Sequence, residues 1–243
     1  MVKKFFSCYL VNRLDVFLFF LLFGCVSFMY AQVPNAQLSG TNAYFRGNYI
    51  EAGLSDRGTF GAPNGTRPSG YHNSRFSSLG FIANPANDGW VNYDGDYFIP
   101  GTPEEGFAIE INGTTYNNNT RGPIEEIPGS ITSVNSSTSY CAEDAAEVIW
   151  EGSVGGIDVH RSYIVTENGL FIKMTTTLTN TSSTTLNNIF WMHNVDPDNN
   201  QGLSGNFDTT NSIEAQASGL LDKLAVVRAL KILLGSLPTP MVL

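Results

Sequence analysis

The sequence predicts an all-β protein, an antiparallel β-sandwich, flanked by an apolar N-terminal segment and a Leu-rich C-terminal one. Three observations predict it. From Val33 to about Ser218 the chain is rich in Gly, Asn, Ser, Thr and aromatics and poor in Leu and Lys. Short runs in that span place apolar residues at alternate positions, and turn signals separate them roughly every 8 to 15 residues. No run in it carries a convincing helical repeat.

Residues 1–31 read as a helical signal peptide. Lys3, Lys4 and Arg13 form the positive region, "VFLFFLLFG" (16–24) the apolar run, and "FMYAQ" a cleavage site after Ala31. The apolar stretch is short for a membrane span, which needs about 20 residues. A second reading takes "LFGC" (22–25) as a lipoprotein box with Cys25 lipidated, although Phe23 is bulky for it. A third keeps the segment as a permanent anchor. Cleavage leaves Cys141 as the mature chain's cysteine, so no internal disulfide or thiolate metal site forms and core packing holds the fold. Cys141 is expected to be a small buried hydrophobe.

The domain spans 33–218. "AYFRGNYIEAGL" (43–54) reads as a strand with a Gly break. "GFAIEINGTTYNN" (106–118) is a hairpin, with Asn112-Gly113 as its type I′ turn. "EVIWEGSVGGIDVHRSYIV" (147–165) is a second hairpin about Gly155-Gly156. Asn168-Gly169 turns the next one, where Leu170, Ile172, Met174 and Leu178 share a face and Lys173, Thr175 and Thr177 take the other. "LNNIFWMHNV" (186–195) is a further strand.

The tail, 219–243, breaks the pattern with eight Leu in 25 residues. Leu220, Leu224, Val227 and Lys231 step along one side of a helix. Two origins fit it: a terminal helix docked on the sandwich, or a reading-frame shift near residue 219.

The formal net charge is −9, and between Val33 and Ser218 seven basic residues face twenty carboxylates. Such a surface repels phosphate backbones and anionic headgroups, which argues against nucleic-acid binding. Membrane contact is left to the signal segment or a lipid on Cys25.

Candidate chemistry gathers in two stretches. "DGWVNYDGDYFIPGTPEEGF" (88–107) sets Asp88, Asp94, Asp96, Glu104 and Glu105 among glycines and aromatics. Asp94 and Asp96 flank Gly95 and suit a cation or ligand, and Trp90 offers a sugar-stacking face. A glycosidase needs two carboxylates facing one gap of about 5 to 10 Å, which adjacent Glu104 and Glu105 do not enforce. Solvated loop carboxylates with core aromatics are the structural alternative. "DPDNNQG" (196–202) places Asp196, Asp198 and Asn200 at alternate positions, as oxygen-rich calcium loops do. Its glycine comes one position late and Phe207 stands where an EF-hand has its bidentate Glu, so Ca²⁺ would sit in a turn of another kind, or the stretch is an Asx-rich turn. His72, His160 and His193 are far apart in sequence. His193, between Trp191 and Val195, lines a pocket or sits hydrogen-bonded in the core. His160 shares a strand face with Asp158 and Ser162, a polar outer face rather than a triad. No HExxH, GxSxG or phosphate-binding loop occurs, and no catalytic residue is assigned.

Taken together, Gly70-Tyr71-His72, Leu79-Gly80-Phe81, Asp88-Gly89-Trp90, Gly95-Asp96-Tyr97-Phe98, Pro103-Glu104-Glu105-Gly106 and Asn194-Val195-Asp196-Pro197-Asp198-Asn199 form a pattern. Over about residues 40 to 215 it resembles the N-terminal region of large exported surface proteins of Bacteroidetes, many of them cargo of the type IX secretion system. The resemblance implies export, the cell surface or exterior, and adhesion-like roles without assigned catalytic residues. Such proteins run on to a β-rich sorting domain. The Leu-rich tail departs from that pattern, so this chain is expected to be a fragment, periplasmic if the sorting domain is absent. The strands over 157–195 also resemble, at the level of fold, the supersandwiches of sugar mutarotases and polysaccharide lyases. The second expectation is therefore a carbohydrate-binding or carbohydrate-active domain with His193 near its cleft and a glycan as partner.

Overall fold

A computed structural model describes residues 34–62, 65–71, 78–83, 96–98, 104–119, 126–196, 210–216, 225–231 and 239–242. The chain divides into two compact units, Met1–Gln32 and Val33–Leu243, and all described residues belong to the second. The expected signal helix lies outside them. Among the described residues no helix is present, and every paired strand is antiparallel.

Strands β1 (Asn35–Ser39), β2 (Asn42–Arg46), β3 (Ile50–Leu54) and β4 (Phe81–Ala83) form one sheet in that order. The expected strand over 43–54 is two, because Gly47 closes a turn with its N–H on Ile50 O at 2.9 Å. A second sheet joins β5 (Glu104–Ile111) and β6 (Thr114–Asn119) to β11 (Phe190–Asp196) in the order β11-β5-β6. The Asn112-Gly113 turn is as expected, with φ of 52° and 84°. The third sheet runs β10-β9-β8-β7, from β7 (Gly129–Tyr140), β8 (Glu143–Val154), β9 (Ile157–Thr166) and β10 (Lys173–Asn180). Gly155 and Gly156, at φ 58° and 83°, turn β8 into β9.

Three expectations are corrected here. Cys141 is exposed, not buried: with Ala142 it forms the β7–β8 turn, at φ 52° and 65°, where its side chain has no core to enter. Leu170 is exposed because β10 begins only at Lys173, so the Leu lies in the connection and not on the strand face. In the tail, Ala225–Lys231 and Thr239–Val242 are strands β13 and β14, paired with each other and, through β13, with β12 (Thr210–Gln216). Backbone pairing to β12 and the adjacent β-branched Val226 and Val227 outweigh the helical Leu spacing. The remainder of the expected helix lies outside the described residues.

One core serves the first three sheets. Phe45, Ile50 and Leu54 share it with Phe107, Ile109 and Ile127 and with Val148, Trp150, Val159 and Tyr163. A smaller cluster of Tyr44, Ala62, Tyr71, Leu79 and Ile82 packs separately, so β3 is buried along its whole length. Trp150 is the centrepiece. Its indole N–H donates to Asp56 O at 2.8 Å and its ring meets Phe107 edge-on at 5.5 Å. Gly58, Gly129 and Gly152 form its walls, since a Cβ on any of them would strike the indole. At Gly58 the backbone also demands φ +76°, a conformation L side chains rarely adopt.

β1 is tied to β7 by one side chain. Ser136 Oγ accepts from Ala36 N at 2.9 Å and donates to Ala36 O at 2.8 Å, at the register irregularity between Asn135 and Thr138. Asn118 closes the opposite flank, donating to Arg57 O and Ile127 O and accepting from Ile127 N.

Candidate functional site

Of the acids singled out in the sequence, Asp96 is fully buried. It accepts from three backbone N–H groups: Gly80 at 2.7 Å, Phe81 at 3.1 Å and Phe98 at 2.8 Å. That geometry holds the 96–98 segment against β4 and leaves the carboxylate facing protein rather than solvent. Trp90 and Asp94 lie outside the described residues, as do Asp198, Asn200 and His72. Asp196 is the last residue of β11 and is exposed. Among the described residues no group of three or more His, Cys, Asp or Glu is placed to hold a metal ion.

The structure does bring together two residues far apart in the chain. Glu105 faces the core from β5 and is 1 % exposed. One of its oxygens accepts from Phe60 N at 2.6 Å, and the other forms a short contact with His193 Nε2. The His193 side chain is 22 % exposed, so the pair joins a buried carboxylate to an imidazole at the rim. Trp191 sits two residues before it on the same strand face, stacked on Phe107 at 5.2 Å.

Arg161 of β9 completes the cluster, and it was not singled out from the sequence. It is 2 % exposed. Its guanidinium carbon lies 4.0 Å from the centre of the Phe107 ring, 5.0 Å from Tyr163 and 5.6 Å from Trp191. Nη1 donates to Gly58 O at 2.9 Å, and Tyr163 Oη donates to the same carbonyl. Burial pushes the Tyr163 hydroxyl well above the usual tyrosine range, with the nearby Arg161 opposing and Glu105 adding to the shift. The phenol therefore stays a hydrogen-bond donor at any ordinary pH. The signal for Arg161 was on the page: Ile157, Val159, Tyr163 and Val165 alternate as a core face, and the middle position of that face is an arginine.

Chemically the cluster is a carboxylate–imidazole pair beside a buried cation and an aromatic shelf. Among the described residues no hydroxyl or thiol is hydrogen-bonded to His193. His160 lies elsewhere, on the outer face of β9 opposite Glu151 and Thr177, where Ser162 Oγ donates to Glu147 at 2.6 Å. Along that face Asp158 is exposed and His160 half-buried, but Ser162 is buried rather than exposed as expected. No family model, curated protein or solved structure matches this chain.

Proposed function

We propose that the chain is an exported, non-enzymatic surface protein, adhesin-like, built on an antiparallel β-sandwich. The sandwich reading is supported by one core shared among three antiparallel sheets. The single observation carrying the non-enzymatic reading is how the buried candidate acid is used: Asp96 spends its oxygens on three backbone N–H groups inside the fold. Carboxylates so engaged fix loops and are poorly available for proton transfer to a substrate. Export rests on the N-terminal segment. In the native cell, mass spectrometry should find a mature chain beginning at Gln32, and protease applied to intact cells should cleave it. An unprocessed chain confined to the cytosol would sink the proposal.

A second reading is favoured by one specific feature, the half-buried Trp191 beside His193. A sugar ring stacking on the indole would meet an imidazole held in place by Glu105. On a glycan array the wild-type chain should then give a signal that His193→Ala lowers at least tenfold at a temperature where the variant is still folded, its melting temperature falling because buried Glu105 loses its partner. An equal signal from both proteins would remove His193 from any glycan site.

A further inference from the structure

Glu167, the first residue after β9, ties the β2–β3 turn of one sheet to the β7–β8 hairpin of another. Its N–H donates to Asp144 O at 2.8 Å, and its carbonyl accepts from Asn48 N–H at 2.7 Å. Asn48 Nδ2 also donates to Asn168 Oδ1 at 3.0 Å. Gly47 lets the two turns come this close, since a Cβ there would stand 2.4 Å from Thr166 O. Residues 47–49 and the β9–β10 connection, 167–172, therefore brace each other.

On this frame large apolar side chains stand in solvent. Leu170 is 75 %, Phe171 64 % and Tyr49 44 % exposed. Scattered single exposures are ordinary, but two consecutive ones beside a third, on braced turns, form a patch. Bracing favours binding, because the loops are already ordered before a partner arrives. The margin of the patch is acidic. Glu143 and Asp144 are exposed at the start of β8, next to Glu167. Lys173, which follows the connection, lies over the Tyr140 ring at 4.3 Å.

Charge and size select the occupant. Anionic lipid is repelled, and so is a second copy, because between Val33 and Ser218 seven basic residues stand against twenty carboxylates. A zwitterionic bilayer gains nothing from the carboxylates. Three side chains so exposed offer on the order of 300 Å². A standard interface takes roughly 800 Å² per partner, so the patch suits a short segment rather than a broad protein surface.

We infer that this braced patch docks a short basic segment of a partner polypeptide. Apolar side chains of the segment cover Leu170, Phe171 and Tyr49, and its lysines or arginines meet Glu143 and Asp144. The inference does not rest on export.

The test uses the full chain and three peptides blocked at both ends: KLKFKLK, KSKSKSK and ELEFELE. The first should slow amide exchange over 167–172 and bind about tenfold or more tighter than either of the others. Leu170→Ser combined with Phe171→Ser should remove that advantage with little change in melting temperature, since both side chains are exposed. Glu143→Gln combined with Asp144→Asn should weaken KLKFKLK and blunt the salt dependence of its binding. Equal binding of KLKFKLK and KSKSKSK would reduce the contact to charge alone, and equal binding of KLKFKLK and ELEFELE to apolar contact alone; either overturns the inference. So does binding that the serine variant retains, or protection of 167–172 by phosphatidylcholine vesicles but not by KLKFKLK. Protection that grows with protein concentration alone would assign the patch to a second copy and overturn it as well. If the serine variant fails to fold, the three-peptide comparison on the unaltered chain still decides.

Discussion

Asp96→Ala should cost about 3 kcal/mol or more of folding stability. Three backbone N–H donors converge on the carboxylate, and the residue is fully buried, so water does not take its place in the folded chain. Each orphaned buried donor costs about 1–3 kcal/mol, and a domain of this kind has only about 5–15 kcal/mol in all. Asp96→Asn should fall between alanine and wild type, because the amide keeps one acceptor oxygen but turns an NH₂ toward one of the donors. The change is read from the urea midpoint at constant slope. A midpoint that does not move in the alanine variant would mean that the three N–H groups find other acceptors, and that Asp96 is free to serve a ligand after all.

Trp150→Ala should cost about 3–5 kcal/mol, toward the upper end of that range. The usual relief for a large-to-small change is collapse of neighbouring side chains into the space. Here three walls are glycines, at Gly58, Gly129 and Gly152, which have no side chains to move inward. The cavity therefore persists. Trp150→Phe separates two contributions: it keeps most of the ring contact with Phe107 but strands Asp56 O, the acceptor of the indole N–H. About 1–2 kcal/mol is expected for it. A Phe variant as unstable as the Ala variant would show that the hydrogen bond, not the packing, anchors this position.

Local signals in this sequence are legible and non-local ones are not. Turns written in Asn-Gly and Gly-Gly were legible, because positive φ at Asn112-Gly113 and Gly155-Gly156 is local chemistry. The equivalent turn at Cys141-Ala142 was not, since neither residue favours that conformation and strand pairing imposes it. The long strand β7 went unread with it, its Ser- and Thr-rich sequence carrying little apolar alternation. Tail periodicity pointed to a helix, yet the same Val-rich segment pairs as β13. At the candidate site, Glu105 looked like a loop acid. It is in phase with Phe107, Ile109 and Ile111, and that phase, extended two residues back, would have placed it facing inward. Its meeting with His193 is 88 residues distant and has no local trace.

Several of the bonds that fasten the front of the domain to the rest are of very long range. Ser136 holds Ala36 at a separation of 100 residues, Trp150 reaches Asp56 across 94, and Arg161 and Tyr163 reach Gly58 across 103 and 105. A chain synthesised or threaded from its N-terminus thus presents β1 to β3 well before their fasteners emerge. For roughly the time needed to deliver a hundred residues, some 5 to 20 seconds at ordinary synthesis rates, that front segment can pair only within its own sheet and the smaller cluster. Non-local closure of this kind is slow to fold. During that interval the first sheet stands without most of the core it shares with the later strands, and a holding chaperone is most useful then.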